Sequence, residues 1–372
     1  MAVYIHIPFC KQLCAYCDFY FSVSLQRKEQ MLNCLVKEME LKSQINTQQK
    51  SSTLYFGGGT PSVFSISYLK QLSEKAIDLF FAKFPEEFTI EANPDDLDET
   101  YLRGLKSIGV NRLSIGIQSF IDRDLKKMNR RHSAKQAFKS VEMAQQIGFN
   151  NISIDLIYGF PNMSINEWEY NLKSAISLGV QHVSAYHLSI ESRSVFGKLA
   201  EKGLISPVDE DTSAKQYELL ENELNNAGFT HYEISNFSLP GFASKHNSAY
   251  WTKQPYMGIG PSAHSYNGFY TRQSNVSNNI KYIESINNGI IPETVETLSE
   301  TEYYNESIIT AFRTNTGISL DMISAQFREK FLAKAEKHIK NGTVINHNCS
   351  YSIKPQYFLV SDNIISDFIV TG

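Results

Sequence analysis

The 372-residue sequence predicts an α/β protein whose main body is a parallel barrel of six strand–helix units, followed by a smaller, mainly helical module. Three observations predict it. Short apolar, β-branched runs recur at 2–7, 53–56, 88–92, 112–117, 152–157 and 182–188. Helical patterns separate them, and such alternation means a parallel sheet or barrel. After Gly228 the alternation stops. A full barrel of this kind has eight units, so six predict a partial (β/α)6, TIM-like one. The expected division is 1–228 for the barrel, 229–290 for an aromatic and glycine-rich connecting segment, and 291–372 for the helical module.

Taken in order, the runs are apolar along their length, as strands buried on both faces are. One helical stripe is Ala137, Val141, Ala144 and Ile147, closed by Gly148. Another is Tyr217, Leu220, Leu224 and Ala227, closed by Gly228. Residues 230–279 are rich in aromatics, Gly, Asn and Ser and have little period. From Ser299 three helices lead to two short β runs at 357–360 and 364–370, the order of a winged-helix module. That shape often binds DNA. Residues 291–372, however, carry 7 Lys+Arg against 10 Asp+Glu, a net of −3. The whole chain stands at 35 − 39 = −4, so no nucleic-acid partner is expected.

A hydrophobic content of 42% with 20% charged residues excludes intrinsic disorder. No apolar run approaches the roughly 18 residues that span a bilayer. The opening Met-Ala-Val-Tyr-Ile-His-Ile-Pro has no basic, apolar leader pattern, and the expected location is the cytoplasm.

The five cysteines are Cys10, Cys14, Cys17, Cys34 and Cys349. An odd number in a leaderless chain argues against a disulfide framework. Cys34 falls in an apolar helical pattern and reads as core; Cys349 has no assigned role. The other three form CxxxCxxC directly after the first strand, at the end where barrel active sites are built. Three thiolates on one loop can hold three irons of a [4Fe–4S] cluster and leave the fourth open. The alternative is a Cys3His zinc site using His6, although structural zinc sites usually come as two separated pairs. This spacing after a first strand resembles the signature of the radical S-adenosylmethionine (SAM) enzymes. The resemblance implies that the amino and carboxylate groups of SAM chelate the open iron.

The loops after the next strands fall on the same rim. Tyr55-Phe-Gly-Gly-Gly-Thr-Pro61 is either a tight turn or a loop that lets backbone approach a ligand. It resembles the radical SAM loop that contacts the SAM amino group, through Gly58, Gly59 and Thr60. Glu91 ends the third run, and a buried carboxylate there must be paired or grip a ligand. Gln118 ends the fourth. Arg130 suits bidentate contact with a carboxylate, or belongs to a solvated basic cluster. Asp155 ends the fifth, and Tyr186 with His187 the sixth.

A narrower resemblance rests on Tyr4-Ile-His-Ile-Pro-Phe-Cys10, Gly-Gly-Gly-Thr-Pro, Ile90-Glu91-Ala-Asn-Pro-Asp, Ser114-Ile-Gly-Ile-Gln-Ser-Phe and Asp155-Leu-Ile-Tyr-Gly-Phe-Pro. These resemble the oxygen-independent coproporphyrinogen III oxidase family over nearly the whole chain. By position, Tyr4, Tyr16, Gly58, Gly59, Thr60, Glu91, Gln118, Arg130 and Asp155 correspond to SAM-contacting residues of that oxidase. Two departures matter. The oxidase has a fourth cysteine where this chain has Phe19, and it carries an extension before the cysteine loop, which here begins at residue 10. Both features resemble the HemW-type haem chaperone branch. That branch implies haem as ligand, with respiratory haem proteins as acceptors and any membrane contact made through them. His246-Asn-Ser-Ala-Tyr250-Trp251 resembles the HNxxYW motif associated with haem binding there. An imidazole can ligate haem iron, and Tyr250 and Trp251 can stack on a porphyrin. Alone, His246 reads as an ordinary hydrogen-bonded histidine and Trp251 as core. The expected function is therefore haem chaperoning on a radical SAM scaffold. The alternatives are anaerobic coproporphyrinogen III oxidation or another radical SAM reaction.

Overall fold

The computed structural model describes residues 1–45 and 50–371. The first body alternates strand and helix: β1 (Ala2–Ile7), α1 (Lys28–Ile45), β2 (Thr53–Gly58), α2 (Ile66–Phe80), β3 (Glu87–Ala92), α3 (Glu99–Ser107), β4 (Arg112–Gln118), α4 (Asp122–Lys127), α5 (Ala134–Ile147), β5 (Ile152–Tyr158), α6 (Ile165–Ser177), β6 (His182–His187), α7 (Val195–Glu201) and α8 (Glu210–Asn226). All six expected strands form. β1 to β6 pair in parallel and in order, the partial barrel that the sequence implies. Local chemistry starts and stops the helices. Ser133 and Gln136 make a capping box at α5, which ends on Gly148 at φ 94°. Ser164 and Glu167 cap α6 in the same way.

The expectation of strands apolar on both faces is corrected. Val3, Ile5, Leu54, Phe56, Phe88 and Ile90 belong to the hydrophobic core. The residues that alternate with them are polar and bond one another across the other face: Tyr55 to Glu91, Ser114 to Asp155, Ser153 to His182. Strand side chains alternate between faces, so one face packs on helices while the other lines the barrel interior. Here that interior face is polar. Fully buried side chains such as Phe56 and Phe88, packed edge-to-face at 5.1 Å, each contribute roughly 2 kcal/mol by burial.

The segment 229–290 was expected to connect two bodies; it extends the sheet instead. It holds β7 (Thr230–Glu233), β8 (Asn236–Ser238), α9 (Lys245–Trp251), β9 (Tyr256–Ile259), β10 (His264–Tyr266), β11 (Thr271–Asn275) and α10 (Asn279–Asn287), and β12 (Glu293–Thr297) follows. The sheet has twelve strands in the order β12-β11-β10-β9-β1-β2-β3-β4-β5-β6-β8-β7. β9 lies parallel to β1, and the other additions are antiparallel. Its strands are three to five residues long, too short to show a period in sequence.

The C-terminal module comprises α11 (Glu300–Ala311), β13 (Ile318–Ser319), α12 (Ala325–Lys340), β14 (Val344–His347), β15 (Ser350–Ile353) and α13 (Ser361–Phe368). The two β runs expected at 357–360 and 364–370 are corrected. Pro355–Val360 is a 3-10 turn, and α13 covers most of the second run. Ile364, Ile365 and Phe368 are buried at i, i+1 and i+4, a helical stripe that is also compatible with a short apolar strand. The hairpin lies earlier, where Asn348 and Cys349 (φ 52° and 66°) join β14 to β15. Two successive positive φ angles fit a two-residue turn. This module covers the β7 edge through a Glu233–Thr314 bridge and Ile234 N–H to Arg313 C=O at 2.9 Å.

Candidate functional site

The loop after β1 is tied down on both sides. Cys10 N–H donates to Ser22 C=O at 3.0 Å, and Ala15 N–H donates to Met128 C=O at 2.9 Å. The Asn129 amide donates to Leu13 C=O at 2.6 Å. Cys10, Cys14 and Cys17 are each half-buried and unpaired, and all three line one cavity of about 450 Å³ at the C-terminal ends of the strands. Cys34 is 2% exposed in the core, as its helical pattern implies.

The same cavity is lined by Tyr16, Gly58, Gly59, Thr60, Glu91, Gln118, Arg130 and Asp155. Residues drawn from four strand ends and three loops thus converge on one volume. The glycine loop approaches closely: a Cβ on Gly59 would fall 2.7 Å from the Phe9 carbonyl oxygen, and Gly58 sits at φ 113°. Gln118 is held at φ 69° beside an irregularity in the β4–β5 pairing. Such outliers persist only where the surroundings enforce them.

Two donors reach the sulfurs. The Thr60 hydroxyl donates to Cys10 Sγ at 3.4 Å, and Arg130 Nη1 donates to Cys14 Sγ at 3.5 Å. Arg130 Nη2 also donates to Asn93 Oδ1 and Gly116 C=O, while its buried Nε has no protein partner. The solvated alternative for this arginine is thereby set aside. Burial pushes the Cys10 thiol up to about 12 and the Cys17 thiol up to about 11. The zinc alternative loses its fourth ligand. His6 is 7% exposed and its ring nitrogens meet Tyr4 Oη at 3.1 Å and Tyr20 C=O at 3.2 Å.

Glu91 accepts from Tyr55 Oη at 2.9 Å and from Gly58 N–H at 3.1 Å. Burial raises its carboxyl to about 7, opposed by the Tyr55 bond and reinforced by the charge of Asp155. Burial likewise raises Asp155 to about 6, opposed by the Ser184 hydroxyl. Neither carboxylate has a cation within ion-pair distance among the described residues. Two destabilised carboxylates facing one cavity are a site prepared for a cationic group.

Four expected contacts fall elsewhere. Tyr4 does not line the cavity. It stands behind Tyr55, with ring centroids 5.9 Å apart. His246, Tyr250 and Trp251 lie on α9, at the opposite, N-terminal end of the barrel. His246 is 1% exposed. Its Nδ1 meets Thr53 Oγ1 at 2.9 Å, its Nε2 meets Tyr250 Oη at 2.8 Å, and its ring stacks on Tyr55 at 4.8 Å. Its backbone N–H donates to buried Glu87 at 2.8 Å. The ordinary hydrogen-bonded histidine is the reading this geometry fits. Sequence reasoning missed Asn93, which links Thr60 to Arg130, and Phe21, Ile157 and Leu188 in the cavity lining. They sit at strand ends or in the cysteine loop, the positions that identified Glu91.

A model of the Radical SAM superfamily matches residues 4–175. The heme chaperone HemW of Bacillus subtilis is 39% identical over 340 residues, covering 89% of this chain and 86% of that protein. The chain belongs to the HemW family. The heme chaperone HemW of Mycobacterium tuberculosis is 32% identical, with 98% of this chain and 93% of that one covered. In fold, coproporphyrinogen III oxidase (HemN) from Escherichia coli superposes with a TM-score of 0.84 at 22% identity, over 99% of this chain and 89% of the oxidase. Radical SAM membership of the HemW family implies a [4Fe–4S] cluster and SAM, and the residues present fit both. The thiols converge on a cavity with donors aimed at two sulfurs. A glycine cradle and two carboxylates with no ion pair among the described residues stand beside them.

Proposed function

We propose that this protein is a haem chaperone that holds a [4Fe–4S] cluster on Cys10, Cys14 and Cys17, binds SAM beside it, and passes haem to respiratory haem proteins in the cytoplasm or at the membrane surface. The observation that carries the reading is the convergence of the three cysteines, the glycine loop and two half-buried carboxylates on one cavity, in a chain whose HemW relatives are named heme chaperones. Phe19, in the place of the oxidase's fourth cysteine, supports chaperoning over coproporphyrinogen oxidation.

When bound, the cluster supplies an electron source and an open iron. The chain's own residues set its surroundings. Thr60 and Arg130 donate to sulfur and favour the thiolate form. Glu91 and Asp155 offer negative charge to the SAM ammonium, and Gly58 and Gly59 let the ligand pass close to backbone. Phe19 and Tyr186, 78% and 44% exposed, add aromatic surface to the cavity lining.

The test is a haem titration of the anaerobically reconstituted protein, followed by transfer to an apo haem protein. Saturable binding and transfer support the chaperone. Coproporphyrinogen turnover with SAM and a reductant, without haem binding, would replace it with the oxidase.

A further inference from the structure

An electron that leaves the cluster has to be replaced, and none of this chain's own residues supplies one. Its entry point, which rests on the cluster reading above, is marked by charge around the cysteine loop. Residues 122–139 carry seven Lys and Arg against two Asp, a net of +5 in a chain of net −4. They form α4 and the first turns of α5, and they lie along the outside of the cysteine loop. Gln12 Nε2 donates to Asn129 C=O at 2.8 Å, the Asn129 amide donates back to Leu13 C=O at 2.6 Å, and Ala15 N–H donates to Met128 C=O at 2.9 Å. Lys127 Nζ stands 5.8 Å over the Phe160 ring. Phe160 packs on Phe196, whose N–H donates to Ala15 C=O at 2.9 Å.

On this outer side Lys11, Gln12, Cys14, Asn129 and Arg131 line a small cleft of about 20 Å³. Cys14 lines the large cavity as well, so it is a cysteine of the triplet that the outer surface reaches. The cleft has room for about one water. No cofactor-sized ligand fits there, whereas a docked surface can cover it. Leu13, the chain neighbour of Cys14, is 41% exposed. Asp96 is paired with Lys11, Asp95 with Arg131 at 2.9 Å, and buried Asp124 with Arg123 at 2.8 Å. Asp122 accepts from Ala134 N–H at 2.8 Å. Lys126 and Lys127 are exposed and enter no ion pair among the described residues. An apolar centre beside unpaired cations suits the surface of an acidic protein, with the charges steering its approach.

We propose that this face, Leu13 with Lys126 and Lys127 around the Cys14 cleft, docks an acidic one-electron carrier protein. One electron passes from the carrier's reduced cofactor across the Cys14 loop to the cluster. The carrier is oxidised by that electron, the cluster is reduced by it, and no bond forms or breaks.

The probe is an acidic flavodoxin. Its oxidised form is titrated calorimetrically into the cluster-free chain at low and high salt, and its hydroquinone is mixed with the reconstituted chain while the cluster absorbance is followed. The wild-type chain is compared with the double variant Lys126→Glu, Lys127→Glu and with Lys330→Glu, Lys334→Glu, exposed positions on α12. The wild-type chain should bind saturably and more weakly as salt rises. The α4 variant should bind at least about tenfold more weakly and be reduced by the hydroquinone at least about tenfold more slowly. Its iron and sulfide content and its reduction by dithionite should match the wild type, and the α12 variant should behave as wild type throughout. Unchanged affinity and rate in the α4 variant overturn the proposal and leave the chaperone standing. So does an equal loss in the α12 variant, and so does saturable binding to phosphatidylglycerol vesicles through Lys126 and Lys127 with none to the flavodoxin. A wild-type chain that takes up no iron and sulfide on reconstitution overturns the cluster reading and the proposal together.

Discussion

Replacing Glu91 by Gln should make the protein more stable and less able to bind SAM. Glu91 is half-buried in the cavity lining, accepting from Tyr55 and Gly58, with Arg112 acting on it only from beyond ion-pair distance. Its carboxyl is raised from the ordinary 4.5 to about 7, chiefly by burial. At about 1.4 kcal/mol per pH unit, that difference disfavours the ionised form by about 3 kcal/mol. The folded state holds this proton more tightly than the unfolded one. Stability from the group is therefore full below pH 4.5, falls as pH rises through 7, and is gone above it. Glutamine keeps one acceptor, for the Gly58 N–H, can turn its amide N–H to the Tyr55 hydroxyl oxygen, and removes the charge. At pH 8 the gain is at most about 3 kcal/mol. With an unfolding entropy of about 2 cal/mol/K per residue over 372 residues, this raises Tm by about 4 °C. At pH 4.5 the gain vanishes. SAM affinity falls about 30-fold with the loss of one charge-assisted hydrogen bond. Calorimetric unfolding of the cluster-free protein at both pH values, with equilibrium binding of SAM to the reconstituted protein, tests both signs. Equal destabilisation at pH 4.5 and 8, or undiminished SAM binding, would refute the assignment of Glu91 as a strained ligand group.

The same carboxylates make SAM affinity of the wild-type chain rise from pH 5.5 to 8 as Glu91 and Asp155 ionise, near 7 and 6; a flat profile by isothermal titration would contradict it. Cys14→Ala, at a half-buried loop position, should fold normally yet lose the visible absorbance and bound iron and sulfide after anaerobic reconstitution. In Gly59→Ala the new Cβ meets the Phe9 carbonyl, so the backbone must shift; about 1–3 kcal/mol is lost in urea unfolding, with SAM binding weakened. His246→Ala orphans Thr53 and Tyr250 and opens a void under Tyr55, which should lower urea-unfolding stability by about 2–4 kcal/mol.

What the sequence by itself determined was whatever depends on spacing along the chain. Six strand–helix units were legible because each strand and helix carries its own apolar period and caps, from Ser133 and Ser164 to Gly148. The cysteine triplet was legible because three thiols on one short loop need no fold to bring them together. Glu91, Gln118 and Asp155 were found by a positional rule, that ligand groups of a parallel barrel sit at the ends of its strands. The tertiary structure alone decided what depends on facing. Once the sheet curves, alternate side chains of β1 to β6 become the polar lining of an interior, which no single strand announces. Tyr4 lies behind Tyr55 for that reason. The short strands of 229–290 gain meaning only by pairing with β1 and β6, and α13 differs from a strand only through the core that buries Ile364, Ile365 and Phe368. The His246 segment shows the division most sharply. Its residue types suit a porphyrin, but hydrogen bonding to Thr53, Tyr250 and Glu87 places it at the floor of the barrel.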